Sequence, residues 1–350
     1  KLTDTFRDRV MFGLHDVDGQ LVGFQGRANP TDTDGPKYLN TPDTAAFTKG
    51  AVLFGLAENA AALDNGAVIA RAEGPLDALA ITLAGEGHAV GVAPLGTALT
   101  DAQADLIATR SSSPAVLEAT DTDPAGMAAA QKDYWKLTSR GLTPSRLVLL
   151  DTRDLERAVK DPAEALATDP DALRLALSVP ELSPSLASAL ISQRIADDRD
   201  HLDMQSVPAI VSAAHDTARI ITALPPTQWE EHIEVAAAQL PTPDAASLMA
   251  TETLRASTPA TAEYVYRDQD QAQAAQRVAE QGGPEATAVL DSLMDRLTRG
   301  RATREAERAT SFAATADSEG FARRVDRLTE RLTRDQDEQR PATGPRHDPQ

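Results

Sequence analysis

Short apolar runs that end abruptly in acid mark the first half of this chain. Val68, Ile69 and Ala70 lead into Glu73, Gly74 and Asp77, while Val116 and Leu117 lead into Asp121, Thr122 and Asp123, closed by Pro124, Ala125 and Gly126. Buried strands of parallel sheets read as such apolar runs, and the functional groups of α/β sheets gather where strands end and helices begin. The neighbouring segments alternate in the same way. Strands are predicted over VIARAE, HAVGVA, AVLEAT and SRLVLL, and helices over 75–84, over DAQADLIAT and from 123 to about 140. Pro75 and Pro124 fall where a first-turn proline is tolerated, because its missing N–H has no helical partner. This is βαβ alternation, so the predicted fold class is α/β with a parallel sheet.

The flanks have a different texture. Upstream, VMFGL and LVGF are short β signals joined by a turn at Asp18-Gly19, followed by the polar loop TDTDGP. From about residue 155 the pattern is helical and Ala-rich, with prolines at 180, 184, 208, 225, 226, 241 and 243 marking the breaks. Phe321, Val325, Leu328 and Leu332 recur at helical spacing, which predicts an amphipathic helix that packs on a neighbour or forms a short coiled coil. The closing DQDEQRPATGPRHDPQ has no apolar content and reads as a disordered tail or linker.

A Glu at one strand end and an Asp-x-Asp at another put three carboxylates at one sheet edge. Glu73, Asp121 and Asp123 are therefore expected to form one cluster. Packed together they repel, and a divalent cation relieves the repulsion. Mg²⁺ suits such a site, because it takes carboxylate, water and phosphate oxygens, and the pattern points to metal-assisted phosphoryl chemistry. The plainer reading of such acids is that they cap helices. Asp121 and Asp123, two residues apart on an extended segment, face the same side. Asp77 lies one helical turn beyond Glu73 and faces the same way.

At these residues the chain resembles the Toprim domain of DnaG-type primases, topoisomerases and some nucleases. Residues 6–56 read FRDRVMFGLHDVDGQLVGFQGRA…PKYLNTPDTAAFTKGAVLFGL. In order and spacing they are similar to the segment before Toprim in DnaG-type primases, with Arg7, Arg9, Arg27, Lys37, Tyr38, Asn40, Lys49 and Gly50 in matching places. APLGTALT at 93–100 resembles the family's loop between its acidic motifs, and the whole resemblance covers roughly 4–170. Gln25 stands where the family has Gly, Gly13 where it has Pro, and Pro75 where it has an aromatic residue. The EGPLDALA form is closer to primase-like modules of plasmids and conjugative elements.

The resemblance implies a Toprim parallel-sheet domain at 57–170, preceded at 1–56 by the end of a mixed α/β primase subdomain. A helical region at 171–335 and a tail at 336–350 would follow. It implies Glu73, Asp121 and Asp123 as catalytic residues, and the same three with Asp77 and Asp161 as ligands of Mg²⁺ or Mn²⁺. Asp161 comes from KDPAEAL, the best match to a further acidic motif, and Asp151 after SRLVLL is its geometric rival. Arg27, Lys37, Tyr38, Asn40 and Lys49 would face nucleotide triphosphate or template; Arg9 serves there or as a brace within its own subdomain. The implied reaction joins ribonucleoside triphosphates on single-stranded DNA, with a helicase or a relaxase-linked parent domain as partner. A Toprim nuclease, or a non-catalytic DNA- or partner-binding domain of a conjugation protein, are the alternatives.

Composition bounds these readings. The chain has 350 residues, a net charge of −19 and no Cys, which excludes disulfides and Cys-based zinc sites within it. Residues 1–150 hold 12 Lys and Arg against 18 Asp and Glu, so the strongest acidic excess lies further on. An acidic balance predicts weak affinity for template in this chain alone, since backbone binders show a basic face. Starting at Lys1, directly before the Arg-Asp-Arg motif, it is expected to be a piece of a longer polypeptide. No apolar run nears twenty residues, so a cytoplasmic, non-membrane setting is expected. The six His show no metal-ligand spacing, and His215 and His232 in apolar helical patterns predict packing roles.

Overall fold

The computed structural model describes residues 4–257, apart from Pro30, residues 32–34, Thr122, residues 153–158 and residues 180–182. The amphipathic pattern at 321–332 and the tail lie outside the described residues. Strands β1 (Arg9–His15) and β2 (Leu21–Ala28) form an antiparallel hairpin, and β3 (Tyr38–Asn40) adds to β2. Its turn follows from Asp16 and Gly19: the Asp16 carboxylate accepts from the amides of Asp18 and Gln20, and Gly19 takes a left-handed φ of 77°. Phe12 and Leu14 project from this small sheet into a core shared with Phe54, Ala70 and Ala72, Phe12 meeting Phe54 edge-on at 5.7 Å.

A second sheet carries the acidic strand ends. It comprises β4 (Leu53–Phe54), β5 (Val68–Ala72), β6 (Ala89–Pro94), β7 (Ala115–Ala119) and β8 (Thr143–Arg146), in the order β4-β6-β5-β7-β8. Strands β6, β5, β7 and β8 run parallel, and β4 pairs antiparallel with β6. Both faces are covered. Ile69, Val90, Val92 and Val116 enter one apolar cluster, while Ala70, Ala72, Ala89, Ala93 and Leu117 enter the other. That double burial is why the strands read as apolar runs. The chain goes outward from β5 to β6, then crosses back over β5 to β7, so strand order reverses at β5. In open α/β sheets such a reversal leaves a crevice beyond the C-terminal strand ends.

Helices α1 (Ala60–Asp64), α2 (Pro75–Gly85), α3 (Asp101–Arg110) and α4 (Pro124–Thr138) alternate with these strands, with Pro at the start of α2 and α4 as expected. Two boundaries differ from the sequence reading. The last strand is Thr143–Arg146 rather than SRLVLL, because β7 ends at Ala119 and offers nothing to pair with beyond Leu147, whose amide still reaches Glu118 O at 2.9 Å. Strand β4, within the stretch assigned to the upstream subdomain, joins the second sheet, where Leu53 and Phe54 are buried.

Helices α5 (Pro162–Thr168) and α6 (Pro170–Ser178) pack on α2. Beyond them α7 (Leu186–His201), α8 (Val207–Thr222), α9 (Trp229–Ala237) and α10 (Ala245–Ala256) surround a separate core of Ile191, Ala213, Trp229 and Met249, which also takes Tyr134 and Trp135 from α4. His232 is buried there, bonded to Gln228 O and Ser185 Oγ, and burial lowers its pKa; His215 sits 3.2 Å from Glu252. His232 has the packing role expected of it, whereas His215 is partly exposed and pairs with Glu252 instead. Among the described residues no helix is long and apolar enough to cross a membrane.

Helix α2 crosses β6 so closely that a Cβ at Gly91 would lie 2.1 Å from Ala78 O. Backbone cannot yield as a flexible side chain does, so Gly91→Ala is expected to destabilise the fold by about 3 kcal/mol. Urea unfolding checks this; an unchanged midpoint would mean that α2 has room to move away.

Candidate active site

Strand β5 ends at Ala72, Glu73 follows, and Gly74 caps α2 in extended conformation. The Glu73 carboxylate accepts from the Asp121 amide at 3.1 Å, so the two acidic strand ends are tied directly. Asp121 is itself buried, and its Oδ2 lies 3.1 Å from Lys160 Nζ. Asp123 caps α4, accepting from Gly126 N at 2.8 Å. Gly126 is required at that turn, since a Cβ there would stand 2.2 Å from Asp121 O. Gly126 therefore packs directly against the Asp121 backbone.

Asp77, in the first turn of α2, is buried and accepts from Ala163 N at 3.3 Å. Burial, then the charges of Asp161 and Asp121, push its carboxyl up to about 6, while the Ala163 amide and Arg27 pull the other way. Asp161 caps α5, accepting from Glu164 N at 2.8 Å, and its charge also bears on Tyr38 and Lys160. Asp151 is buried after β8. The five acids expected at the site thus share one edge, with Glu73 tied to the Asp121 amide and Asp77 under the charges of Asp161 and Asp121. Among the described residues no three His, Asp or Glu side chains converge closely enough to hold an ion as they stand. One oxygen each of Asp123 and Asp161 is committed to a helix start, and one of Glu73 to the Asp121 amide.

The small sheet faces this edge. A Cβ at Gly74 would lie 2.6 Å from the Tyr38 hydroxyl oxygen, so the glycine after Glu73 makes room for that tyrosine. Arg27 donates to the same hydroxyl at 3.2 Å. Burial raises the Tyr38 pKa; Arg27 opposes the shift and Asp77 adds to it. The Lys37 ammonium lies 5.7 Å from the Tyr38 ring centroid, and both Lys37 and Lys49 are exposed. The Asn40 carboxamide is engaged at both ends, accepting from Gln25 Nε2 at 2.7 Å and donating to Leu95 O at 3.2 Å. Gln25, the departure from the family's glycine, is therefore the partner that orients Asn40. Arg9 is a brace, donating to Gly26 O and Pro36 O.

Sequence reasoning missed Lys160 and a buried set formed by Arg71, Glu118 and Asp133, whose side chains are all 0% exposed. The signal was present: Arg71 and Glu118 are charges inside the apolar runs VIARA and AVLEA, and the strand register makes them neighbours. Lys160 directly precedes Asp161 in KDPAEAL.

Comparison with known proteins agrees with this geometry. Residues 1–60 match the family model of the DNA primase catalytic core, N-terminal domain, and residues 72–165 match the Toprim-like model. The DNA primase of Synechococcus elongatus is 43% identical over 129 residues, which are 37% of this chain and 18% of that protein. The DNA primase of Deinococcus radiodurans is 40% identical over 175 residues, 49% of this chain and 28% of that protein. The chain therefore spans less than a third of the length of these curated relatives. Among solved structures, the Escherichia coli primase catalytic core aligns with a TM-score of 0.54 at 26% identity, over 68% of this chain and 71% of that one. The motifs, the sheet order and these matches fall on the same residues: the chain carries the N-terminal catalytic-core domain of DnaG-type primases joined to a Toprim-like domain.

Proposed function

We propose that this chain is the catalytic core of a primase, joining ribonucleoside triphosphates on a single-stranded DNA template with release of pyrophosphate. The observation that carries this reading is the opposition of two sets of groups across one sheet edge. Glu73, tied to Asp121, and the buried Asp77 stand on one side; Arg27 and Tyr38 meet them from the other. Phosphoryl transfer needs little covalent chemistry from protein and much positioning and charge stabilisation, which such an arrangement supplies.

The residues fit a divalent ion by their chemistry. All five acids offer hard oxygen donors, burial and then the charges of Asp161 and Asp121 raise Asp77 to about 6, and a cation, the Lys160 ammonium, already stands on Asp121. In this reading Glu73, Asp121 and Asp123, with Asp77 and Asp161, would hold Mg²⁺ or Mn²⁺ through oxygens that the helix caps leave free. Such an ion supplies activation of a 3′-hydroxyl and neutralisation of triphosphate charge. Arg27, Lys37 and Lys49 bind phosphate by charge and donor geometry. Tyr38 and Asn40 hold the wall on which those cations stand. Lys160 balances Asp121 and reaches outward with a half-exposed side chain.

With Mn²⁺, single-stranded template and ribonucleotides, the full-length parent is expected to make short RNA, and Asp121→Ala to abolish it. Metal-dependent nicking of DNA with no nucleotide incorporation would transfer the site to hydrolysis.

Lys37→Ala and Lys49→Ala are each expected to weaken nucleotide or DNA binding while moving stability by no more than about half a kcal/mol. The salt dependence of DNA binding should fall by roughly one unit of slope per lost phosphate contact. Unchanged binding at low salt in both variants makes these lysines ordinary solvated charges.

Asp77 also gives the fold a pH dependence. Its carboxyl titrates near 6 in the folded chain against an ordinary value of 3.8, so its contribution is fully present below the unfolded value and is lost as pH rises through about 6. In EDTA, Asp77→Asn lacks that loss and should gain on the wild type between about pH 4 and pH 7, by up to about 3 kcal/mol. Urea unfolding across that range checks it; a difference that stays flat with pH contradicts the assignment.

A further inference from the structure

Arg71 stands in β5 two residues before Glu73, and Glu118 in β7 three residues before Asp121. Asp133 lies on α4, the helix that Asp123 caps. Arg71 Nη2 is 2.8 Å from Asp133 and Nη1 is 3.4 Å from Glu118, with all three side chains fully buried. Burial pushes the carboxyls of both Glu118, to about 8, and Asp133 up against the pull of Arg71, and Asp133 stands nearer the guanidinium, at 2.8 Å against 3.4 Å. Taking such charges out of water is costly, and apolar residues of similar volume commonly stabilise a core as well or better. Packing alone therefore gives no reason for a triad here.

The further hydrogen bonds of the triad all go to one loop. Arg71 Nη2 donates to Thr97 O at 2.7 Å, and Asp133 accepts from Leu99 N at 2.9 Å. On its other side that loop is the seat of the small sheet's polar residues. Leu95 O receives the Asn40 carboxamide, and Gly96 lies against the Lys49 side chain, whose ammonium would be 3.9 Å from a Cβ there. Thr100 donates to Gly50 O at 2.5 Å. One buried guanidinium thus joins the two strands and the helix that present the carboxylates to the loop that seats Asn40 and Lys49.

We propose that Arg71 is a positioning residue that locks residues 95–100, and through them Asn40 and Lys49, in fixed relation to Glu73, Asp121 and Asp123. The lock rests on contacts within the chain; only the ligand it serves, a nucleoside triphosphate, rests on the primase reading. The decisive variant is Arg71→Met with Glu118→Leu and Asp133→Leu, which removes every charge of the triad together and leaves none buried alone. In the full chain it should melt near the wild type, while amide exchange at 95–100 rises about tenfold or more, as expected for lost hydrogen bonds to charged groups, and exchange in residues 186–256 stays unchanged. Affinity for ATP, measured with Mn²⁺ present, should fall by a similar factor, and Lys49→Ala should then add little further loss.

If the triple variant folds poorly, Arg71→Lys decides, because a lysine keeps the charge but lacks the fork that spans Asp133, Glu118 and Thr97 O; faster exchange at 95–100 is expected there too. Wild-type exchange in the folded variant, or faster exchange with wild-type ATP affinity, overturns the proposal. If the wild type itself binds no ATP, the primase reading falls, and the exchange measurement alone decides the lock.

Discussion

Glu73, Asp77, Asp121, Asp123 and Asp161 gather at the C-terminal edge of one parallel sheet, where the burial of Asp77 and Asp121 strengthens the repulsion. The surrounding structure offsets that repulsion locally. Two helix N-termini, whose dipoles favour negative charge, take Asp123 and Asp161. The Asp121 amide takes Glu73, and Lys160 takes Asp121. Asp77 is opposed by the Ala163 amide and the charge of Arg27, but its burial, and after that the charges of Asp161 and Asp121, win, and its carboxyl rises to about 6. Capping and ligation do not compete outright, because a carboxylate that gives one oxygen to a helix start keeps the other.

Sheet order decides where this edge opens. Reversal of strand order at β5 separates the connections that leave β5 and β7, and Glu73 and Asp121 lie on the two sides of that separation. The sheet could not carry such charge unaided. The central strands β5, β6 and β7 are apolar on both faces except at Arg71 and Glu118, and those two sit directly behind the acids they precede in sequence.

The βαβ alternation and the acidic strand ends were legible because a strand covered on both faces must be apolar throughout, and its termination in acid is then conspicuous. Glu73 and Asp121 follow from that rule alone. The last strand did not: SRLVLL has stronger strand character than Thr143–Arg146, yet pairing depends on where β7 stops, which is a property of another segment. The site of β4 likewise depends on β6 having an open edge. The capping of Asp123 was visible as the plainer alternative, and both Asp123 and Asp161 precede a proline at a helix start. Lys160 and the Arg71 triad were not read, because a charge within an apolar run gains meaning only once its cross-strand neighbour is known.

Beyond the apolar core that Phe12 and Leu14 share with Phe54, Ala70 and Ala72, the two sheets meet at chemically specific points. Gly74 admits the Tyr38 hydroxyl beside Glu73, and Leu95 O receives Asn40. Gln25 holds Asn40 in turn, so a departure from the family in the small sheet supports a residue that matches it. Each contact ties a residue of the upstream motifs to a loop that follows a strand of the second sheet. The upstream segment therefore forms a wall of the acidic crevice, which explains physically why the two sets of motifs occur together in one order. A cation-bearing wall with no strand ends opposite it would be an ordinary solvated face. On the proposed primase reading, carboxylates without the wall would lack the positive charge that binding a triphosphate requires.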